Sequence, residues 1–285
     1  MQSNNPVFRN SDAFNGSGNA YGNQTYPGNG AGYDAYGQQA QPGYADTYAP
    51  AGAGERMTVD SVVQKTGIAL AVVIVTAALT WWFTGDIDNE ENAGLLFGAL
   101  AIGSLGAFAL SMVNSFKRVI SPPLVLAFCA LEGVALGAFS KFIDATFVDA
   151  DSGNIVMQAV IGTFAAFAGT LAAYKFFNIK VGQRFRTFVI AAMFGMVALA
   201  MLEVVLSLFG NAVGFLGFGN LGLLFSIAGL VLGVFMLILD FDFVEKGVAA
   251  GIPERESWRA AFALTVSLVW IYTNLLRILA IFSSD

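Results

Sequence analysis

The chain has 285 residues, 56% of them hydrophobic and only 12% charged, with a mean hydropathy of +0.66, more apolar surface than a soluble domain can hide; it reads as an integral membrane protein. A net charge of −6 excludes a nucleic-acid-binding surface, which relies on clustered Lys and Arg. The lack of histidine excludes Ser-His hydrolases and HExxH metalloproteases, and one cysteine, Cys129, forms no intrachain disulfide and leaves the redox compartment open.

Residues 1–57 are rich in Gly, Asn, Gln, Ala and Tyr, hold six of the eight tyrosines and contain almost no aliphatic side chains. They are expected to form a disordered tail, either merely solvated or weakly self-associating through its aromatic-polar composition. No basic start followed by an apolar stretch opens the chain, so the first hydrophobic helix is expected to serve as the insertion signal. From residue 58 to 285 the spacing predicts seven apolar helices, each long enough to cross about 30 Å of hydrocarbon. They cover 66–83, 93–113, 124–142, 155–177, 188–209, 221–239 and 260–282, joined by segments rich in turn formers such as "GDIDNEEN", "SPP" and "GNAVGFLGFGN". The fold class is all-α, a seven-transmembrane-helix bundle.

Basic residues predict the orientation, because Lys and Arg in short loops are retained in the cytoplasm. Arg56 and Lys65 precede helix one. Lys117 and Arg118 join helices two and three; Lys175, Lys180, Arg184 and Arg186 join four and five; Lys246, Arg255 and Arg259 join six and seven. The opposite side offers only Lys141. The tail is therefore expected in the cytoplasm, with the acidic loop 86–91 and the C-terminus outside and Trp81 and Trp82 at the outer interface.

Small residues at helical spacing mark expected packing faces: Gly94 and Gly98, Gly133 and Gly137, Gly229 and Gly233. In helix six, Gly222, Ser226, Gly229 and Gly233 form one stripe, and Asp240, seven residues beyond Gly233, continues it into the bundle. The competing reading of Asp240 is a solvated helix end, which suits Asp242 and Glu245 better, since Asp242 lies about 200° around from Asp240. Glu132 falls roughly 13 Å into helix three and must be protonated, paired or facing water. Glu203 lies nearer the outer boundary. Ser267, Asn274 and Arg277 share an inward stripe of helix seven; Arg277 either snorkels or pairs internally, with Glu203 as the candidate partner. These residues predict a polar seam between helices six and seven, with Ser267 at the depth of Asp240 and Glu132 as a third member.

"LEGVALGAF" in helix three, "LDFDFVEKG" at the exit of helix six and the closing "LVWIYTNLLRILAIF", similar to "LYLDxxNLFxxLLRILG", give the chain a resemblance to the Bax inhibitor-1 family over residues 58–285. The start "SNNPVFRNSDAF" and the long tail look like a bacterial subgroup, which implies the bacterial inner membrane. The resemblance implies a seven-helix bundle of the Bax inhibitor-1 type acting as a pH-sensitive Ca²⁺ leak, in which an aspartate of helix six and one of helix seven share a proton and gate a pore. Asp240 matches the first. Ser267 stands at the second position, so the proton-sharing carboxylate pair is incomplete unless Asp242 or Glu132 supplies it.

Two functions compete at this stage. One is an ion pathway gated by protonation of Asp240, with Ca²⁺ as the transported ion, oxygen ligands suited to it, and Asp86, Asp88, Glu90 and Glu91 either concentrating it or forming an ordinary solvated turn. The other is an interaction protein that modulates a membrane protease or another membrane protein without transport. Neither is an enzyme, and neither calls for a cofactor; membrane lipids are the expected surroundings. A retinal protein needs a lysine in helix seven, and an aspartyl intramembrane protease needs two deep aspartates on facing helices; the sequence has neither.

Overall fold

The computed structural model describes residues 55–85, 90–147 and 154–283. The expected tail, apart from residues 55–57, most of the acidic loop, and the last two residues lie outside the described residues. Among the described residues seven helices run α1 (Val59–Phe83), α2 (Glu90–Phe116), α3 (Pro122–Phe147), α4 (Ile155–Phe176), α5 (Gln183–Leu208), α6 (Asn220–Ala250) and α7 (Ser257–Ser283), with a 3-10 turn (Glu254–Glu256) before α7. All seven are long and apolar enough to cross a membrane. All seven expected spans exist. Their ends differ, because hydropathy traces the hydrocarbon slab whereas a helix continues as long as its backbone is capped.

The two largest extensions show this. α1 begins at Val59, seven residues before its apolar stretch, because Thr58 caps it: the Thr58 Oγ1 accepts from the Ser61 amide, and the Ser61 hydroxyl accepts from the Thr58 amide, each at 3.1 Å. α6 does not stop at Leu239. It runs on through Asp240, Asp242 and Glu245 to Ala250, where Gly251 takes the left-handed conformation (φ 62°, ψ 36°) that closes helices. At 31 residues it is about 46 Å long and outreaches the hydrocarbon.

α7 is the most buried span and the axis of the bundle; α6, α1, α4 and α3 pack around it, with α2 against α3 and α5 against α6. Close backbone approach explains some glycines and not others. A methyl group at Gly133 or Gly137 would run into the α1 backbone at Val73 and Ala77, and one at Gly103 into the α3 backbone at Ala135. Gly94 and Gly98, expected to mark a packing face, instead look into open space.

At the end where α1 and α7 begin, the chain before α1 lies along the α6–α7 turn. The Met57 amide donates to the Ile252 carbonyl at 2.8 Å, the Ser61 and Ser257 hydroxyls meet at 2.7 Å, and Lys65 pairs with Glu254 at 2.5 Å. Here too the Arg259 guanidinium donates to the Arg118 carbonyl at 2.8 Å, holding the α2–α3 turn.

Candidate functional site

The expected glycine stripe of α6 is buried against α7. Gly222 lies under the Gly217 backbone of the α5–α6 connection with Arg277 beside it, Gly229 faces the Asn274 side chain, and Gly233 faces Ile271 and Trp270. The absence of side chains at these positions lets the two helices approach, and the Trp270 indole N–H uses the closeness to donate to the Gly229 carbonyl at 2.8 Å. Ser226 on the same stripe is fully buried, and its hydroxyl has no hydrogen-bond partner among the described residues.

Seven residues past Gly233, Asp240 continues this face, as expected. The Ser267 hydroxyl of α7 donates to Asp240 Oδ2 at 2.6 Å, at the short end of the range for a hydroxyl donor. Asp240 lies about 30 Å along α6 from Asn220, at the edge of the hydrocarbon near the end where basic residues gather. Between this pair and the polar group at Asn274 and Ser226 stand Leu237 and Ile271, both fully buried. The α6–α7 interface therefore alternates a polar step, an apolar layer and a second polar step.

Asp242 was expected to suit a solvated helix end. It is 3% exposed instead, because α6 continues and turns it toward α5, away from Ser267. There it accepts from Arg186 of α5 at 3.0 Å and from Lys246, one turn along α6, at 2.7 Å. Glu245 is exposed and accepts from the Tyr174 hydroxyl of α4 at 2.5 Å. Lys246 was legible at its four-residue spacing; Arg186 was not, because nothing in the sequence says which face of α6 meets α5.

Glu132 sits on α3 one turn beyond Phe128, whose ring meets Phe262 of α7 edge-on with centroids 5.0 Å apart, and two turns before Ser140, which shares a hydrogen bond of 2.6 Å with the Tyr272 hydroxyl. It is half-buried on the α7-facing side of α3 and has no hydrogen-bond or ion-pair partner among the described residues. It does not join the α6–α7 seam. α3 packs on α2, α1 and α7, so α7 stands between Glu132 and Asp240.

The expected pair of Arg277 and Glu203 does not form. Both are buried, and each binds backbone of the α5–α6 connection, which folds between them. Arg277 donates to the carbonyls of Phe215 and Gly217, each at 2.9 Å. The Glu203 carboxylate accepts from the amides of Val213 at 3.0 Å and Gly214 at 2.7 Å. Gly214 has φ +102°, a conformation open in practice only to glycine, which aims its amide at the carboxylate. Asn274 bonds back to the Trp270 carbonyl at 2.8 Å. Lys141, counted as the lone basic residue of the opposite side, is buried and donates to the Trp81 carbonyl at 2.9 Å.

Among the described residues no group of three or more Cys, Asp or Glu side chains is placed to hold a metal ion. A family model described as Bax inhibitor 1 like matches residues 5–284. No curated protein matches the chain.

Proposed function

Because the chain belongs to the Bax inhibitor 1 like family, we propose that it is a multi-pass membrane protein that lets a cation, Ca²⁺ by the chemistry of its oxygen ligands, leak down its gradient when Asp240 is protonated. The observation that carries this reading is the hydrogen bond of 2.6 Å from Ser267 to Asp240 across the α6–α7 interface. An ionised Asp240 is a strong acceptor that clamps α7 to α6 through this hydroxyl. Protonation removes the charge that makes the bond strong, the clamp weakens, and the two helices can part at the apolar layer of Leu237 and Ile271. Asp242, neutralised by Arg186 and Lys246, fixes the end of α6 against α5, so that the other side of the helix can move.

On this reading Ser267 replaces proton sharing between two carboxylates with a simple donor, and the switch has one titrating group. Glu132, separated by α7, is a second carboxylate available to a permeating ion once the interface opens. The protein acts without covalent chemistry or a cofactor. The basic end is cytoplasmic and the membrane is the bacterial inner membrane, the first supported by the positive-inside rule and the second by the resemblance of the N-terminal stretch.

The test is flux from dye-loaded liposomes. The wild type should pass Ca²⁺ faster as pH falls. Asp240→Asn, a permanently uncharged side chain, should flux fast at every pH, and Ser267→Ala should shift the profile toward higher flux at neutral pH. A pH profile unchanged by both substitutions defeats the reading. The favoured alternative is then an adaptor for a membrane protease or another membrane protein, which the satisfied polar contacts of Asp242, Glu203 and Arg277 support as elements of a rigid scaffold. For the adaptor, deletion of residues 1–54, which spares the segment docked on the α6–α7 turn, abolishes partner capture and leaves liposome flux as it was.

A further inference from the structure

α1 and α4 both pack on α7 without packing extensively on each other, and the gap between them is an open cleft floored by α7. One part, about 520 Å³, lies between Trp81, Ser140, Tyr272 and Phe164. The other, about 1040 Å³, extends from Leu70, Phe164 and Leu268 to the basic end at Lys175 and Lys180. The two share Leu70, Phe164 and Leu268, so they are one continuous apolar groove along α7. Sites for drug-sized ligands enclose about 300–1,000 Å³; each part alone is of about that size, and the two together leave room for a longer, chain-bearing molecule.

The charges at its mouth are unbalanced. Asp242 is taken by Arg186 and Lys246, and Glu245 accepts from the neutral Tyr174 hydroxyl and keeps its charge, so Arg186, Lys246, Lys175 and Lys180 outnumber the two carboxylates. Lys175 and Lys180 line the same mouth, are exposed, and have no hydrogen-bond or ion-pair partner among the described residues. Along α4, about 16 Å of helix separates Lys175 from Phe164, close to half the thickness of a bilayer core. A molecule with a phosphate at these lysines would have its chain end at Phe164 and Leu268, mid-membrane.

We infer that the cleft between α1 and α4 is a binding site for an anionic glycerophospholipid, its headgroup held by Lys175 and Lys180 and an acyl chain laid along Leu70, Phe164 and Leu268. The inference is independent of ion conduction. Gly67 supplies the steric probe: it lines the groove, and a Cβ added there meets nothing within 4 Å, so Gly67→Phe starts its side chain from open space and is expected to occupy part of the cleft.

The full chain is reconstituted in phosphatidylcholine vesicles doped with phosphatidylglycerol, extracted in mild detergent and analysed for retained lipid by native mass spectrometry. The wild type should keep phosphatidylglycerol and lose phosphatidylcholine. Each lysine near an anionic headgroup contributes roughly a fivefold preference, so the double variant K175Q/K180Q should lower retention by more than about tenfold. Gly67→Phe should lower it comparably with both lysines intact. The control K117Q/R118Q removes two charges at the same end but outside the groove and should leave retention unchanged. Equal retention of the two lipids, an equal loss in the control, or full retention by Gly67→Phe each overturns the site, the second result assigning the effect to diffuse surface charge.

Discussion

Substituting Asp242 with asparagine removes the negative charge that Arg186 and Lys246 share and leaves one acceptor oxygen where there were two. The Asp242 side chain is 4% exposed, but those of Arg186 and Lys246 are 42% and 59% exposed and reach water, so the cost stays below that of a fully buried ion pair. Asp242→Asn is expected to lower stability by about 1–3 kcal/mol, read as a drop in melting temperature in detergent. Glu245→Gln, at an exposed acceptor, should change it by less than about 0.5 kcal/mol. The neighbouring Asp240 answers to a different measurement, flux against pH, because its only hydrogen-bond partner among the described residues is a hydroxyl on another helix. Two carboxylates two residues apart thus do different work. A helix turns each residue through about 100°, which sends Asp240 to α7 and Asp242 to α5. Their opposed directions were legible in the sequence; the burial of Asp242 was not, since it depends on α6 continuing and on α5 lying beside it.

Helix α5 has few buried residues and leans mainly on α6, yet it is pinned at both ends, by Arg186 on Asp242 and by Glu203 on the connection to α6. Glu203→Gln weakens two charge-assisted bonds to backbone amides, so hydrogen exchange across residues 209–219 should accelerate by about tenfold, while Glu132→Gln, on the far side of α7, leaves that segment unchanged. The glycines divide in the same physical way. Gly133→Ala drives a methyl group into the α1 backbone and is expected to cost about 1–3 kcal/mol. Gly98→Ala meets nothing and should be neutral or stabilising by up to about 1 kcal/mol, since alanine loses less backbone entropy in a helix. Thermal unfolding of both variants in one detergent checks the pair. Spacing alone made Gly94 and Gly98 equivalent to Gly133 and Gly137, because periodicity identifies a stripe and not the neighbour, if any, that faces it.

The whole bundle is electrically asymmetric. Arg56, Lys117, Arg118, Lys175, Lys180, Arg184, Arg186, Lys246, Arg255 and Arg259 gather where α1 and α7 begin, and the one lysine near the other end, Lys141, is turned inward onto Trp81. If this end is cytoplasmic, a cysteine placed at Lys180 should react with a membrane-impermeant thiol reagent only in inverted vesicles, and one placed at Val213 only in intact cells. Buried Cys129 keeps the wild-type background low. The reverse pattern overturns the orientation. It would leave the fold untouched, since the packing around α7 does not depend on which side of the membrane each end faces.

Seven spans, their order and the charge bias of their ends follow from the chain itself, because a bilayer demands runs of apolar residues of a set length and tolerates little else. The inward stripe of α6 and the meeting of Asp240 with Ser267 were also within reach, since each needs only helical periodicity and depth. Which helix faces which was beyond it. The place of α7 at the axis, its position between Glu132 and Asp240, the loop that parts Glu203 from Arg277 and the open cleft between α1 and α4 all arise from packing among elements far apart in the chain. In lipid every helix is apolar on nearly all sides, so hydrophobicity no longer says which side is in, and only the fit of small residues, backbone and a few polar side chains decides the arrangement.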